Sequence, residues 1–352
     1  MIATSAQGAA DAAFRVRLEL PGRGLVAHGL ELEPLPLFSA EQARRFRAAG
    51  AAGKVCVLAG ARRRLRRELR EPPRAASTVV VQRQVDLAPS LALERAAVAG
   101  RRVVYDIDDA IWMTGRQTGG HPLSALKGAA RKVRWLAERA DGVIAGNEIL
   151  AERLSELSDS VTVVPSLVDP AAYVLREHEQ GEALTLGWIG SPTTAPYLRG
   201  IAAVLERLVE SSPRPVRLLV VGGSTPPLAG VAVEERSWSP RAEQEALAEM
   251  DIGLMPLDDT PWTRGKCAYK ALQYMAAGIP PVADDVGVSA ATIGAAGYAV
   301  RGAGRWLEVL LALAEDAGLR ARLGEVGRRR VEEEFSPERW LPTIAAIVRG
   351  GS

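Results

Sequence analysis

Short runs rich in β-branched residues alternate with long amphipathic stretches along most of this chain, and that alternation limits the fold more than any single motif. "STVVVQ" (Ser77 to Gln82), "RRVVYDID" (Arg101 to Asp108), "DGVIAGN" (Asp141 to Asn147) and "VTVVP" (Val161 to Pro165) read as buried strands. Segments between them, such as "HPLSALKGAARKVRWLAERA", place apolar residues at helical spacing. Strands that alternate with helices imply βαβ units and a parallel sheet. A polar stretch, "LREHEQGEAL" (Leu175 to Leu184), reads as a linker, and the alternation then restarts.

In the second half "LTLGWIG", "PVRLLVVGG", "DIGLMPL" and "IPPVAD" read as strands, and "APYLRGIAAVLERLVESS" reads as a helix. Ser239 is an expected N-cap, with Pro240 at the first helical position. "SPERWLPTIAAIVRG" reads as a terminal helix. The expected fold class is α/β, with two doubly wound Rossmann-like domains and ligand space beyond the carboxyl ends of the strands. The expected divisions are residues 1–178, 179–335 and a last helical segment, 336–352.

Composition narrows the partners. The chain has 352 residues, 47% hydrophobic and 24% charged, a size suited to two domains. A net charge of +2 makes no case for a nucleic-acid partner. Cys56 and Cys267 lie far apart, which argues against a disulfide framework or a zinc site and fits a reducing cytoplasm. The N-terminus lacks the continuous apolar run of a signal peptide, and no run reaches the ~18–20 residues of a membrane span. The strongest charge run, "RRRLRRELREPPR" (Arg62 to Arg74), could touch an anionic membrane as a basic helix. Its apolar face, mainly Leu65 and Leu69, is short, and a solvated outer helix packed on the sheet is the expectation.

Several stretches at strand ends carry candidate chemistry. In "TPWTRGKCAYK", Arg264, Lys266 and Lys270 gather at an expected helix start. Lys266 and Lys270 stand one helical turn apart, a like-charge spacing that costs a helix roughly 0.2–0.5 kcal/mol. An anion bound between them, such as a diphosphate, accounts for the arrangement; a solvated basic face is the alternative. "GWIGSPTTAP" offers Gly190, Ser191 and Thr193, and "VVGGSTPP" offers Gly222, either to a phosphate or as plain capped turns. Trp238 either stacks on a nucleobase or staples a helix start. "VVYDIDDAIW" places Asp106, Asp108 and Asp109 together at the end of a strand. They could hold a divalent cation, bind sugar hydroxyls, accept a proton, or cap the next helix. Trp112 and His121 follow and are candidates for the same cleft.

"KALQYMAAGIPPVA" resembles the donor-binding segment of GT-B glycosyltransferases, especially glycosyltransferase family four (glycosyl transferases group 1). Members often show a lysine three residues before an acidic residue, then a Tyr-Met-Ala-type run, Gly-x-Pro and a hydrophobic strand. Lys270, Gln273, Tyr274, Met275, Gly278 and Pro280 match those positions. The resemblance extends over "LGWIGSPTTAPYL", "LVVGG", "DIGLMPL", "VVYDIDDAIW", "ADGVIAGNEILAERL" and "VTVVPSLVD", most of the chain beyond about Thr78. It implies a nucleotide diphosphate sugar as donor, held mostly by the C-terminal domain, a small-molecule or glycan acceptor on the N-terminal side, and no metal or other cofactor. It also implies that Lys270, with Arg264 or Lys266, holds the diphosphate. Gly190 and Ser191 then approach it through the backbone, and Trp238 lies near the base. The last helix is implied to cross back to the first domain, and peripheral membrane contact is compatible with the pattern.

The chain departs from the family at two positions. Where members commonly have two glutamates separated by seven residues, this sequence has Gly265 and Gln273. Gln273 can hydrogen-bond a ribose hydroxyl, Gly265 cannot replace a carboxylate, and Asp258 or Asp259 is a candidate substitute. Many members also carry a histidine where the aspartate cluster stands here. The usual reaction is retaining, and it needs no enzymic nucleophile if the leaving phosphate assists the acceptor. An inverting variant would use Asp106, Asp108 or Asp109 as general base. Rival readings are a GT-A enzyme with a metal on Asp106 and Asp108, a nucleotide-sugar epimerase, and a degenerate nucleotide-sugar-binding partner without catalysis. A NAD-dependent dehydrogenase lacks its Gly-x-Gly-x-x-Gly signal.

Overall fold

The computed structural model describes residues 1–6, 8, 11–70, 76–113 and 128–351. Two six-stranded sheets form, one in each of two compact units. Unit 1 is Met1–Leu167, Thr260–Cys267 and Pro337–Ser352, and unit 2 is Val168–Asp259 and Ala268–Ser336. The first passage between units is at Leu167–Val168 rather than 178–179, and nothing in the sequence pattern marks the return of Thr260–Cys267 to unit 1.

Sheet 1 contains Ile2–Ser5 (β1), Glu33–Pro34 (β2), Thr78–Gln82 (β3), Arg102–Ile107 (β4), Gly142–Ala145 (β5) and Val161–Val163 (β6), in the order β2-β1-β3-β4-β5-β6. Sheet 2 contains Leu184–Ile189 (β7), Val216–Val221 (β8), Ala232–Arg236 (β9), Ile252–Met255 (β10), Pro281–Asp284 (β11) and Tyr298–Val300 (β12), in the order β12-β11-β10-β7-β8-β9. Pairing is parallel in both sheets. The fold class is the expected one, two Rossmann-like α/β units. β1, β2, β9 and β12 are additions to the strands read from the sequence. β2 is two residues long, and β9 is mostly exposed, so neither presents an apolar run.

The continuous apolar strands follow from parallel pairing, which leaves both faces of the sheet to be covered. On one face of sheet 1, Val79, Val81, Val103, Tyr105 and Val143 pack with Leu65, Leu93 and Leu136. On the other, Val80, Val104 and Ile144 pack with Phe14, Leu18 and Leu25, and with Leu341, Ile344 and Val348 of the helix Pro337–Arg349. A Cβ on Gly142 would lie 2.9 Å from Ile347 Cγ2, so the glycine lets that helix approach the sheet. Each sheet reverses its winding once, between β1 and β3 and between β10 and β7. In open α/β sheets ligands bind outside the carboxyl ends of the strands at such switch points.

One buried ion pair ties the first helical segment of unit 1 to the end of β4. Arg17 Nη2 donates to Asp106 Oδ2 at 2.6 Å, and Nε lies 3.1 Å from both carboxylate oxygens. Arg17 Nη1 donates to the carbonyls of Val164 (2.8 Å) and Pro165 (2.7 Å), just past β6. Burial works against the Arg17 charge, but the adjoining Asp106 carboxylate more than reverses that and holds the guanidinium protonated. Breaking such a pair leaves the partner charge buried and alone, at a cost of about 3–5 kcal/mol. Arg17→Met should lose that much stability in urea unfolding. Adding Asp106→Leu should recover most of it, because an apolar pair of similar volume carries no desolvation penalty.

Candidate functional site

Unit 1 gathers charge at its switch point. Gln82, the last residue of β3, accepts from Ser5 Oγ (2.8 Å) at the end of β1 and donates to Asp108 Oδ1 (3.0 Å). Arg83 follows with φ +59°, a left-handed backbone that non-glycine residues rarely adopt. Its side chain grips Asp108, Nε to Oδ1 at 2.6 Å and Nη2 to Oδ2 at 2.8 Å, with Asp109 and Asp11 each at 3.7 Å. The three aspartates expected to act together are thus separated by their partners. Asp106 belongs to Arg17. Burial pushes Asp108 up, but the charge and hydrogen bonds of Arg83, helped by Arg17 and Gln82, hold its carboxyl below the usual range. A metal on Asp106 and Asp108 is thereby disfavoured, because each carboxylate already meets a guanidinium.

Asp109 is different. Its Oδ1 accepts from the Ala110 N–H at 3.1 Å, and its cations are more distant, Arg83 at 3.7 Å and Lys266 at 3.8 Å. Burial pushes its carboxyl up, against the opposing charges of Lys266 and Arg83. Trp112 is half-buried against the unit 1 core, and His121 lies outside the described residues.

The segment Thr260–Cys267 corrects one expectation. Lys266 is not on the helix that carries Lys270. A short helix ends at Arg264, and the next, Tyr269–Ala276, starts after Ala268, whose φ of +48° breaks the helical path. The like-charge spacing of Lys266 and Lys270 is therefore not a helical i,i+4 pair. The segment is anchored within unit 1. Asn147, N-cap of the helix Glu148–Ser155, donates to the carbonyls of Gly265 (3.1 Å) and Lys266 (3.3 Å). Cys267 Sγ donates to the Asp108 carbonyl at 3.1 Å, and burial pushes its thiol up to about 12. A Cβ at Gly265 would lie 2.8 Å from Ala110 Cβ, so packing excludes a glutamate there. Arg264 is exposed, and Lys266 lies 5.3 Å from the Trp262 ring centre.

In unit 2 the switch point is built around Tyr274. Its hydroxyl accepts from the Ile189 N–H at 3.1 Å and lies 3.2 Å from the Leu254 carbonyl, joining β7 to β10. A Cβ on Gly253 would meet the Tyr274 ring at 2.2 Å, so glycine is required beneath it. Lys270 lies one turn earlier on the same helix face, with its Nζ 5.5 Å from the centre of the Trp188 ring. Cation–π contact stabilises a charge there, where the helix dipole alone opposes it. Trp188 brings that lysine to the glycine turns, because a Cβ on Gly190 would meet its ring at 2.2 Å and one on Gly223 at 2.9 Å. Gly222 (φ +81°) passes so close to Gly190 that a Cβ would lie 2.4 Å from the Gly190 carbonyl oxygen.

Ser191 and Thr193 form a hydrogen-bonded turn after β7, Oγ to Oγ1 at 2.8 Å, with Thr193 exposed. Trp238, beside Gly222, donates from Nε1 to Glu243 Oε2 at 2.7 Å. Gln273 is buried, and its Nε2 donates to Glu243 Oε1 at 2.8 Å. Burial, then the Glu243 charge, push the neighbouring Tyr173 hydroxyl up to about 12. Glu243, Arg83, Gln82 and Asn147 were not singled out from the sequence. "SPRAEQEAL" shows Glu243 only as an acidic residue in a first helical turn, a place glutamate often takes for the dipole alone. Among the described residues no cluster of metal-ligating side chains occurs, and no helix is long and apolar enough to cross a membrane.

No protein-family model matches the chain, and no curated protein matches it by sequence. Solved structures do match in fold. The sucrose-phosphate synthase of Thermosynechococcus elongatus superposes with TM-score 0.69 at 14% identity, covering 99% of this chain and 98% of that one. Anabaena HepE in complex with UDP-glucose gives 0.65 at 15% identity, with 99% of each chain covered. TarM gives 0.60 at 14% identity, with 77% of this chain matched to 54% of TarM, so the match spans about half of TarM's length. The two six-stranded parallel sheets with flanking helices are thus those of the GT-B glycosyltransferase fold.

The Arg83–Asp108 pair sets an acid dependence. A carboxyl held below its unfolded value adds stability above the usual aspartate pKa of about 4, and that stability is lost as pH falls through the lower folded value. Arg83→Gln should therefore lower stability at pH 7 and flatten the acid limb of stability against pH, followed by urea unfolding at pH steps below 5. An acid limb as steep as that of the unaltered chain would show that Asp108 does not owe its shift to Arg83.

Proposed function

We propose that this chain is a glycosyltransferase that moves a sugar from a nucleotide diphosphate sugar to a hydroxyl or amine acceptor, without a metal and with retention. The observation that carries the reading is Lys270 over Trp188, beside the Gly190 and Gly222–Gly223 turns at the switch point of sheet 2. A fixed cation and closely approached backbone are suited to a diphosphate whose negative charge grows as the glycosidic bond breaks. HepE in complex with UDP-glucose and S. aureus TarM in complex with UDP share the fold and support the choice of donor class.

In this reading Lys270 stabilises the departing diphosphate and the Gly190–Ser191 turn meets it through backbone N–H groups. Trp238 flanks the base. Glu243, held by Trp238 and Gln273, supplies the carboxylate for a ribose hydroxyl that Gln273 alone cannot provide. On unit 1, Asp109 is the acceptor-side carboxylate, because Asp106 and Asp108 are committed to Arg17 and Arg83. Arg264 and Lys266 remain candidates for the donor phosphates, with Lys266 also balancing Asp109.

A second reading is a nucleotide-sugar-binding partner without catalysis. The packing of Gly265 on Ala110 favours it, since no carboxylate can stand at that position. Hydrolysis of the donor by the isolated chain separates the two.

Thermal shift of the purified chain against UDP, GDP, dTDP and ADP, with and without EDTA, tests the site directly. A nucleotide at 100 times its Kd should add about 2.7 kcal/mol of stability. Lys270→Ala should abolish that shift while leaving the unliganded melting temperature nearly unchanged; a surviving shift would refute the phosphate role. Asp109→Asn should leave the nucleotide shift intact and lower transfer by at least about 100-fold. Unchanged transfer would remove Asp109 from the mechanism.

A further inference from the structure

The two oxygens of Asp109 meet different surroundings. Oδ1 accepts from the Ala110 N–H at 3.1 Å. Oδ2 lies 3.7 Å from Arg83 Nη2 and 3.8 Å from Lys266 Nζ, beyond hydrogen-bond length on both sides. The charged and titratable groups around this carboxyl are those two cations, Asp108 and the Cys267 thiol. Burial pushes the carboxyl up, and among the charges that oppose burial Lys266 counts for most, ahead of Arg83.

The two cations are held in different ways. Arg83 is fixed through its own guanidinium, forked on Asp108 at 2.6 and 2.8 Å. Lys266 has a flexible four-carbon stem, so its ammonium stays beside Asp109 only while its backbone stays in place. Asn147, buried at 6% exposure, fastens that backbone from the side. Its Nδ2 donates to the Gly265 carbonyl at 3.1 Å and to the Lys266 carbonyl at 3.3 Å. Cys267 Sγ, the next residue along, donates to the Asp108 carbonyl at 3.1 Å. A Cβ on Gly146 would lie 2.5 Å from that sulfur, so the glycine before Asn147 lets the segment seat.

Helix capping does not by itself call for asparagine here. Asn147 Oδ1 caps Glu148–Ser155 by accepting from the Leu150 N–H at 2.9 Å, and a serine would cap comparably. What the amide adds is a second atom with two N–H donors. Because the cap turns Oδ1 to the helix, Nδ2 is turned to the two carbonyls.

We propose, on the acceptor-side role given to Asp109, that Asn147 is a positioning residue for that carboxylate: by clamping the Gly265 and Lys266 carbonyls it keeps the Lys266 ammonium beside Oδ2 and so keeps Asp109 charged. An opposite charge at that range favours the ionised carboxylate, so a loosened clamp leaves Asp109 to take up its proton at higher pH.

Carboxyl-carbon NMR of the unliganded full chain, with the Asp109 signal assigned through Asp109→Asn, follows this titration without any acceptor. Lys266→Met should move the Asp109 midpoint to higher pH. Asn147→Ser, which keeps the cap, should reproduce most of that shift at a nearly unchanged melting temperature. Asn147→Ala should melt lower, for want of a cap, yet shift the midpoint as serine does. In the Lys266→Met background Asn147→Ser should add nothing, because the clamp acts through the lysine. An unmoved midpoint in Lys266→Met or in Asn147→Ser overturns the proposal, and so do additive shifts in the double variant. A helix cap and nothing more would give the melting differences with no change in titration. The transferase reading fails separately: unchanged transfer by Asp109→Asn removes it even where the titration moves as expected, and an unmoved titration with transfer lost removes only the clamp.

Discussion

Parallel pairing is the constraint from which the other features of both units follow. A parallel strand cannot return by a tight turn, so most are followed by a crossover that places a helix on one face of the sheet, the link from β8 to β9 being made without one. Both faces are then covered, and the strands carry continuous apolar stretches such as Val79–Val81 and Leu218–Val221. Polar chemistry is left only the strand ends. In both sheets the residues with unusual contacts or backbone angles sit there: Arg83 after β3, Asp106 to Asp109 at the end of β4, and Gly190 and Gly222 after β7 and β8.

The two units settle the resulting charge in opposite ways. Unit 1 puts carboxylates close together and gives each its own arrangement of donors. Arg17 takes Asp106 and two carbonyls past β6, while Arg83 and Gln82 take Asp108. Only Asp109 is left with cations at a distance, which is why one residue of the triplet, rather than the triplet, carries the chemical interest. Unit 2 instead fixes a cation with an aromatic face. Tyr274 pins the helix to β7 and β10, and Lys270 is thereby held over Trp188. The helix that carries that lysine is seated by the Tyr274 ring packing closely on Gly253.

Much of this was legible because it is local. Strand runs and helix spacing repeat within a few residues, and Lys270 stands in a recognisable segment. The contacts that sort the aspartates were not legible. Arg17 reaches Asp106 across most of a sheet's worth of sequence, and Glu243 reaches Gln273 from another helix. No periodicity reports such pairs. Lys266 misled for a different reason. Ala268 adopts a left-handed conformation without the glycine that usually signals one, so the helix seemed to begin earlier than it does. The arginine-rich helix packs as expected, with Leu65 and Leu69 in the core of unit 1 and Arg63, Arg66 and Arg67 exposed.

The passage of the chain between its two units has a consequence for how it is made. Unit 1 begins at Met1 yet includes Pro337–Ser352, and its second core face holds Leu341, Ile344 and Val348 against Phe14, Leu18 and Leu25. During synthesis, domains ordinarily mature from the N-terminus onward. Here Phe14, Leu18 and Leu25 wait for Leu341, Ile344 and Val348, which are translated much later, and sheet 2, whose cores draw only on Val168–Asp259 and Ala268–Ser336, has all its parts sooner. The nascent chain thus emerges with an apolar sheet face covered only in part, by Phe14, Leu18 and Leu25, until Pro337–Arg349 follows, a long-separation closure that makes unit 1 the slower to finish and the one most in need of shielding by chaperones.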